Sequence, residues 1–471
     1  MNFLFNYLEI ILVLYTLCSM SFALFFGTSK NYSFSILLNS ISYFSAFTIF
    51  LLIFNLFIIS DNIFLNFNNF NIFFQLSVLS STFFLILLSK SYYKLNIIKN
   101  YEYDFLLSFS LISLIILASS NDFIMVYLAI ELQSLSFYVL ATFNRNSEFC
   151  NEAGIKYFVL GSFASGLLLF GFSLIYLSLG TINFEEINII IKSKNSIDLT
   201  FIGILFVSFA FLFKLGSVPF HFWLCDVYEA SLTTTTAFFS VVPKIVLFGL
   251  TLKFFYLTFI NYNSLWYILL NFSGISSVIL ASIAGIYQKK TKRLLAYSTI
   301  AHTGFIILSI SCSSVNGSES LLIYTILYIF MSISSFAILL NFVNNSSFLK
   351  YLINWSNINN KVLAILFAIT LLSISGIPPF GGFYSKMSVI ASLISESFII
   401  TSLIAVIFSG ISCFYYIRLI KIFFFQKNIQ KIWLFNVSKE LDICLIVSSS
   451  LFSFFLVFPE TLILLSSYIS L

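Results

Sequence analysis

Charge is what this sequence has least of: Asp, Glu, Lys and Arg make up 9% of 471 residues, against 60% hydrophobic. A soluble domain averages about 25% charged residues, so the composition excludes one and implies an integral membrane chain. The net charge of +5 is too small, in so apolar a chain, to suggest a nucleic-acid partner. Histidine is nearly absent, with only His221 and His302, and the six cysteines (Cys18, Cys150, Cys225, Cys312, Cys413, Cys444) lack paired spacing. That pattern argues against iron–sulfur or zinc ligation and for small apolar fillers. No G-x-G-x-x-G or Walker loop occurs, so no flavin, nicotinamide, haem or nucleotide site is expected, and no cofactor is assigned to the chain. Redox chemistry, where it matters, belongs to another chain. A cleavable signal peptide is not expected either, because the first apolar run, about 3–26, is long enough to be a span.

What is present is a succession of apolar runs of membrane length. At about 20 residues per span they predict an all-α polytopic bundle in one transmembrane domain. Fourteen spans are expected near 3–26, 34–59, 70–89, 104–120, 122–141, 155–179, 199–229, 232–258, 265–286, 296–314, 319–343, 361–395, 398–420 and 441–468. Phe (62), with Ile, Asn, Ser and Tyr, is over-used in a way that reads as the nucleotide bias of an AT-rich organelle or endosymbiont genome.

The basic residues test this segmentation. Connections after odd-numbered spans hold Lys30, Lys90, Lys94, Lys99, Arg145, Lys156, Lys289, Lys290, Lys292, Arg293, Lys350, Lys361, Arg418, Lys421, Lys427, Lys431 and Lys439. Those after even-numbered spans hold Lys192, Lys194 and Lys253, the last counted at its span end. The asymmetry puts odd connections in the matrix or cytoplasm and both termini on the opposite side. The basic connection 287–297 reads as a topology determinant in contact with anionic lipid, cardiolipin included.

Three of the five prolines fall inside apolar runs at two similar places. Gly216-Ser-Val-Pro219-Phe220 and Gly376-Ile-Pro378-Pro379-Phe380 both fit G-x-x-P-F, 160 residues and five spans apart by position. Proline removes a backbone donor and opposes an unbroken helix, so the seventh and twelfth spans are expected to be interrupted. Broken helices at matching places in inverted repeats point to an ion path. The repeats would be about 104–258 and 265–420, preceded by three helices in 1–103 and followed by a last one at 441–468.

Three lysines remain inside spans: Lys214, Lys244 and Lys386. An intramembrane cation costs about 2.5–3.5 kcal/mol and marks a functional position. Glu131, at the centre of the fifth span, is the proposed partner of Lys214, since a buried carboxylate and ammonium offset each other's desolvation. His302 suits either a proton relay or a hydrogen-bonded packing role, and His221, beside Pro219, suits a relay on hydrated backbone.

The stretches 131–171 (ELQSLSFYVLATFNRNSEFCNEAGIKYFVLGSFASGLLLFG), 213–230 (FKLGSVPFHFWLCDVYEA), 292–306 (KRLLAYSTIAHTGFI) and 375–386 (SGIPPFGGFYSK) carry a resemblance. The chain resembles the antiporter-like, proton-translocating membrane subunits of respiratory NADH dehydrogenase (complex I), most closely their subunit 2 type, over essentially its whole length. Length and a lysine rather than glutamate at position 386 separate it from the subunit 4 and subunit 5 types. The resemblance implies a proton path along Glu131, Lys214, Lys244 and Lys386, in which the approach or withdrawal of Glu131 sets whether Lys214 keeps its proton. It implies partners in the other membrane-arm subunits, with flavin, iron–sulfur clusters and ubiquinone held there, and a place in the mitochondrial inner membrane or, alternatively, a bacterial plasma membrane. A stand-alone or Mrp-type cation/proton antiporter is the alternative function, and a packing subunit without conduction the third.

Overall fold

The computed structural model describes residues 8–26, 69–96, 102–193, 198–340, 361–425 and 459–469. The expected second span at 34–59 and the part of the last before 459 lie outside these residues, as do Cys444 and the basic residues Lys30, Lys99, Lys194, Lys350, Lys427, Lys431 and Lys439. Among the described residues every named element is a helix, and an antiparallel bridge joins Asp122 to Asn183. Nine helices are long and apolar enough to cross a membrane, and three further apolar helices are shorter: Leu12–Ser21, Leu199–Leu215 and Ile365–Ser375. The last two are the leading halves of the seventh and twelfth spans.

A helix in lipid must satisfy its polar groups internally, and this chain carries many Ser and Thr residues in its spans. Their hydroxyls turn back on the preceding turn: Ser110 donates to Leu107 O at 2.7 Å, Ser240 to Ala237 O at 2.9 Å and Thr303 to Ile300 O at 2.8 Å. Each hydroxyl thereby acts as a self-satisfied small side chain.

The chain divides into two compact units, one of Met1–Lys214 with Ala230–Asn263, the other of Leu215–Glu229 with Ser264–Ser470. In the first, a Cβ on Gly171 would stand 2.9 Å from Gly203 O, and one on Gly203 2.9 Å from Gly171 O. The sixth and seventh spans therefore touch backbone to backbone. In the second, Gly274 and Gly304 do the same for the ninth and tenth, at 3.1 Å and 2.9 Å. Small residues at such crossings are how membrane helices gain packing contact without a hydrophobic driving force.

Several boundaries differ from the sequence expectation. The sixth span starts at Glu148 rather than 155, because Ser147 caps it and accepts a bond from Cys150 N at 3.4 Å. Lys156 is thus helical, paired with Glu152 at 2.7 Å. The tenth starts at Thr291 rather than 296, with Leu294 and Leu295 already buried, so Lys292 and Arg293 stand in its first turn. A ten-residue amphipathic helix, Phe184–Ser193, joins the sixth and seventh spans where a loop is expected; it buries Phe184, Ile187 and Ile191 on one face. The eighth span runs as the helix Thr233–Leu252 and then changes to a π-helix over Lys253–Thr258.

Candidate functional site

Both G-x-x-P-F segments interrupt their helices. Asp198–Leu215 stops and the chain resumes at Phe222–Ala230; Lys361–Ser375 stops and resumes at Gly381–Ser395. The two breaks have the same backbone form: Gly216 and Gly376 sit at φ 72° and 80°, in the left-handed region, and Val218-Pro219 and Pro378-Pro379 are both cis. Pro219, Pro378 and Pro379 are exposed within the chain. At the second break the helix closes as a Schellman motif, with Ile377 N donating to Leu372 O at 3.3 Å and Gly376 N to Ser373 O at 3.0 Å around the left-handed glycine.

That closure leaves the carbonyl of Ser375 without a helical donor. Lys386 reaches back from the resumed helix and donates to it at 2.6 Å, its ammonium 5.7 Å from the centroid of Phe305. The side chain is buried, 6% exposed. A helix C-terminus carries partial negative charge, so the break itself supplies the counter-charge for Lys386.

In the first unit Lys214 occupies the last turn of its half-helix, next to the break. The residue is partly exposed but its Nζ is buried and makes no hydrogen bond among the described residues. Glu131 is the carboxylate whose charge acts on it. The two do not form a direct ion pair: Glu131 is half-buried and its Oε2 accepts from Ser134 Oγ at 3.1 Å. Lys244 follows Pro243 inside Thr233–Leu252, a helix buried along its length, and is 2% exposed.

The histidines differ. His302 is buried, its Nδ1 paired with Tyr324 Oη at 2.7 Å, and it lines a cavity of about 20 Å³ together with Ser298, Thr299, Ser332 and Ser335. The space is the size of one water, but Leu295, Met331, Phe336 and Ile374 make the greater part of its lining apolar. His221, 4% exposed, lies at the end of the first break with its ring against Phe222 at 4.3 Å.

Thus Glu131, Lys214 and Lys244 belong to the first unit, and His221, His302 and Lys386 to the second. Sequence reasoning passed over two buried groups. Lys253, counted there with the loops, is 6% exposed; it donates to Ser120 O at 2.6 Å and to Asn121 Oδ1. Asp104, in the first turn of the fourth span, is 1% exposed, and its carboxylate oxygens make no hydrogen bond among the described residues. Position at a span end disguised both. The basic segment 287–297 is also more committed than expected: Lys290 pairs with Glu229, and Arg293 pairs with Glu229 at 3.2 Å and Asp226 at 3.8 Å. Lys290 and Arg293 therefore clasp the resumed half of the seventh span.

Residues 120–435 match the profile of the family described as NADH:quinone oxidoreductase/Mrp antiporter, transmembrane. The NADH-ubiquinone oxidoreductase chain 2 of Marchantia polymorpha is 37% identical over 100% of this chain and 98% of its own. Among solved structures, a chain of respiratory complex I from Thermus thermophilus is similar with a TM-score of 0.82 at 21% identity, covering 97% of this chain and 98% of that one. A chain of the Mrp complex from Dietzia sp. reaches 0.85 at 15% identity, over 99% and 97%. At those identities the structural likenesses establish the fold alone, whereas the profile and the full-length relative establish kinship: the chain belongs to the NADH:quinone oxidoreductase/Mrp antiporter family, in its NADH-ubiquinone oxidoreductase chain 2 branch.

Proposed function

We propose that this chain translocates protons as a membrane-arm subunit of NADH:ubiquinone oxidoreductase, driven by quinone reduction in other subunits, and binds neither NADH nor quinone itself. The observation that carries the reading is the setting of its intramembrane lysines. Lys214 stands at one helix break and Lys386 at the other, while Lys244 is enclosed at 2% exposure. Such charges are retained in a membrane where they serve transport. In the first unit, movement of Glu131 relative to Lys214 governs whether Lys214 holds its proton or releases it toward Lys244. In the second, Lys386 takes and releases protons against the Ser375 carbonyl, with His302 and the water-sized cavity beside it as a relay. His221 serves the hydrated first break.

Flavin, iron–sulfur clusters and quinone belong on this reading to partner subunits. The mitochondrial inner membrane is the proposed location, with odd connections in the matrix, both termini opposite and anionic lipid at the basic faces. The Mrp-type antiporter shares the fold, but the full-length relative at 37% identity is a chain 2, which favours the complex I reading.

The test is Lys214→Arg, which keeps the charge on a group that does not release its proton at any working pH. Quinone-dependent NADH oxidation and proton pumping are measured in membranes, with assembly checked on native gels. Assembled complexes should lose most of their pumping. A normal proton-to-electron ratio would overturn proton passage through Lys214.

A further inference from the structure

The path described above does not use Lys253, although it is as deeply buried as Lys386, and its surroundings differ from those of the other lysines. It lies nine residues beyond Lys244 on the same span, about 13 Å along the axis by helix rise, at the point where the helix widens into its π-turn. Such turns are frequent at functional positions. Its ammonium draws three chain segments together. It donates to Ser120 O at 2.6 Å and to Asn121 Oδ1 in the connection between the fourth and fifth spans. It also lies 5.8 Å from the ring of Phe184, which opens the short amphipathic helix. That helix is tied to the same connection, with Phe184 N donating to Asn121 O at 3.0 Å and Phe123 N to Ile182 O at 3.2 Å.

Around this junction the wall is aromatic. Phe123 stacks on Phe172 at 4.3 Å and meets Phe184 at 5.5 Å and Phe254 at 6.4 Å; Phe254 in turn meets Phe211 at 5.3 Å and Phe259 at 4.8 Å. Each of these six rings is at most 5% exposed. The carboxylates whose charges bear on the junction are Asp122, Glu185 and Glu186. None forms an ion pair within 4 Å of Lys253 among the described residues, and its bonds go to neutral oxygens.

We infer that Lys253 and the phenylalanine cluster form a proton seal closing this end of the first unit, so that protons handled at Lys214 and Lys244 do not leak past the end of the eighth span. A dry apolar constriction and a fixed cation are each a barrier to proton passage, and they act together here. Lys253 is on this view a positioning and barrier residue that passes no proton on. The inference rests on the reading of the first unit as proton-conducting.

The test measures leak rather than turnover. Vesicles carrying the complete complex are held with turnover inhibited, a pH gradient is imposed, and its decay is followed with a pH-sensitive dye. Lys253→Gln keeps a hydrogen-bond donor but removes the charge, and its gradient should collapse several-fold faster than wild type while NADH oxidation is retained. Lys253→Arg should stay tight. An assembled Lys253→Gln complex as tight as wild type, or a Lys253→Arg complex as leaky as Lys253→Gln, would overturn the seal. Where Lys253→Gln does not assemble, Phe184→Ser decides: rapid decay supports the seal and wild-type tightness overturns it. Tight Lys253→Gln membranes alongside lost pumping in Lys214→Arg would sink the seal alone, whereas normal pumping in Lys214→Arg would sink the reading beneath it.

Discussion

A buried side chain in a membrane keeps a polar group only where something answers it, and the answers in this chain are specific. Lys386 is answered by the Ser375 carbonyl and the face of Phe305, Lys253 by Ser120 and Asn121, and His302 by the hydroxyl of Tyr324. The last pairing yields a separable prediction. Tyr324 is fully buried and its ring also stacks on Phe305 at 6.1 Å, so Tyr324→Phe preserves packing and removes only the hydroxyl. Losing one partner of a buried hydrogen bond costs about 1–3 kcal/mol locally, which the assembled complex should tolerate. If His302 relays protons, the pumping rate should fall several-fold while the assembled amount on native gels is unchanged. Pumping at the wild-type rate would assign His302 the packing role instead.

At the scale of elements, the two breaks share a backbone form but differ in what their glycines face. A Cβ on Gly376 would stand 2.7 Å from Lys386 Cδ and 2.9 Å from its Nζ, whereas one on Gly216 would meet the Leu224 methyl at 2.3 Å. Either alanine carries the strain of a left-handed residue, roughly 1–2 kcal/mol. Gly376→Ala in addition pushes on the ammonium that the break holds, so it should cut pumping strongly. Gly216→Ala should chiefly lower thermal stability, because a leucine end can turn aside. Equal pumping losses in assembled complexes of both variants would refute this asymmetry. These breaks were legible in the sequence, because glycine and proline at fixed spacing dictate backbone form whatever the tertiary setting. The short helix Phe184–Ser193 was not: with three buried positions in ten residues, its pattern is too brief to separate from a loop. The start of the tenth span was hidden for another reason, since Lys292 and Arg293 look like loop residues until the acidic end of the seventh span is brought to Arg293. The clasp makes its own prediction: Glu229→Gln removes the partner of both Lys290 and Arg293, and limited proteolysis within 287–292 should then be faster than in wild type. Unchanged cleavage would leave the clasp without a structural role.

At the scale of the whole molecule, the lipid-length apolar runs made the membrane class readable from the sequence, because hydrocarbon thickness fixes helix length. The candidate site was legible only in part. An in-span lysine announces itself by its cost, but the geometry between Glu131 and Lys214 depends on side-chain rotamers, and Ser134 bonds that carboxylate. Sidedness rests on the charge asymmetry, and it can be tested with residues that are exposed and near connections. Asn146 and Lys289 flank odd-numbered connections, Lys192 and Asn316 even-numbered ones. Exposed Cys18 is first replaced by serine, and single cysteines at the four positions are then treated with a membrane-impermeant thiol reagent in sealed vesicles of known orientation. Asn146→Cys and Lys289→Cys should react from the matrix or cytoplasmic face, Lys192→Cys and Asn316→Cys from the other. Four spans separate Asn146 from Lys289 in the fourteen-span order, with each broken helix counted as one crossing. Opposite-face labelling of those two would show that a break turns the chain back instead of letting it continue across, and the inverted five-span relation between the repeats would fall with it.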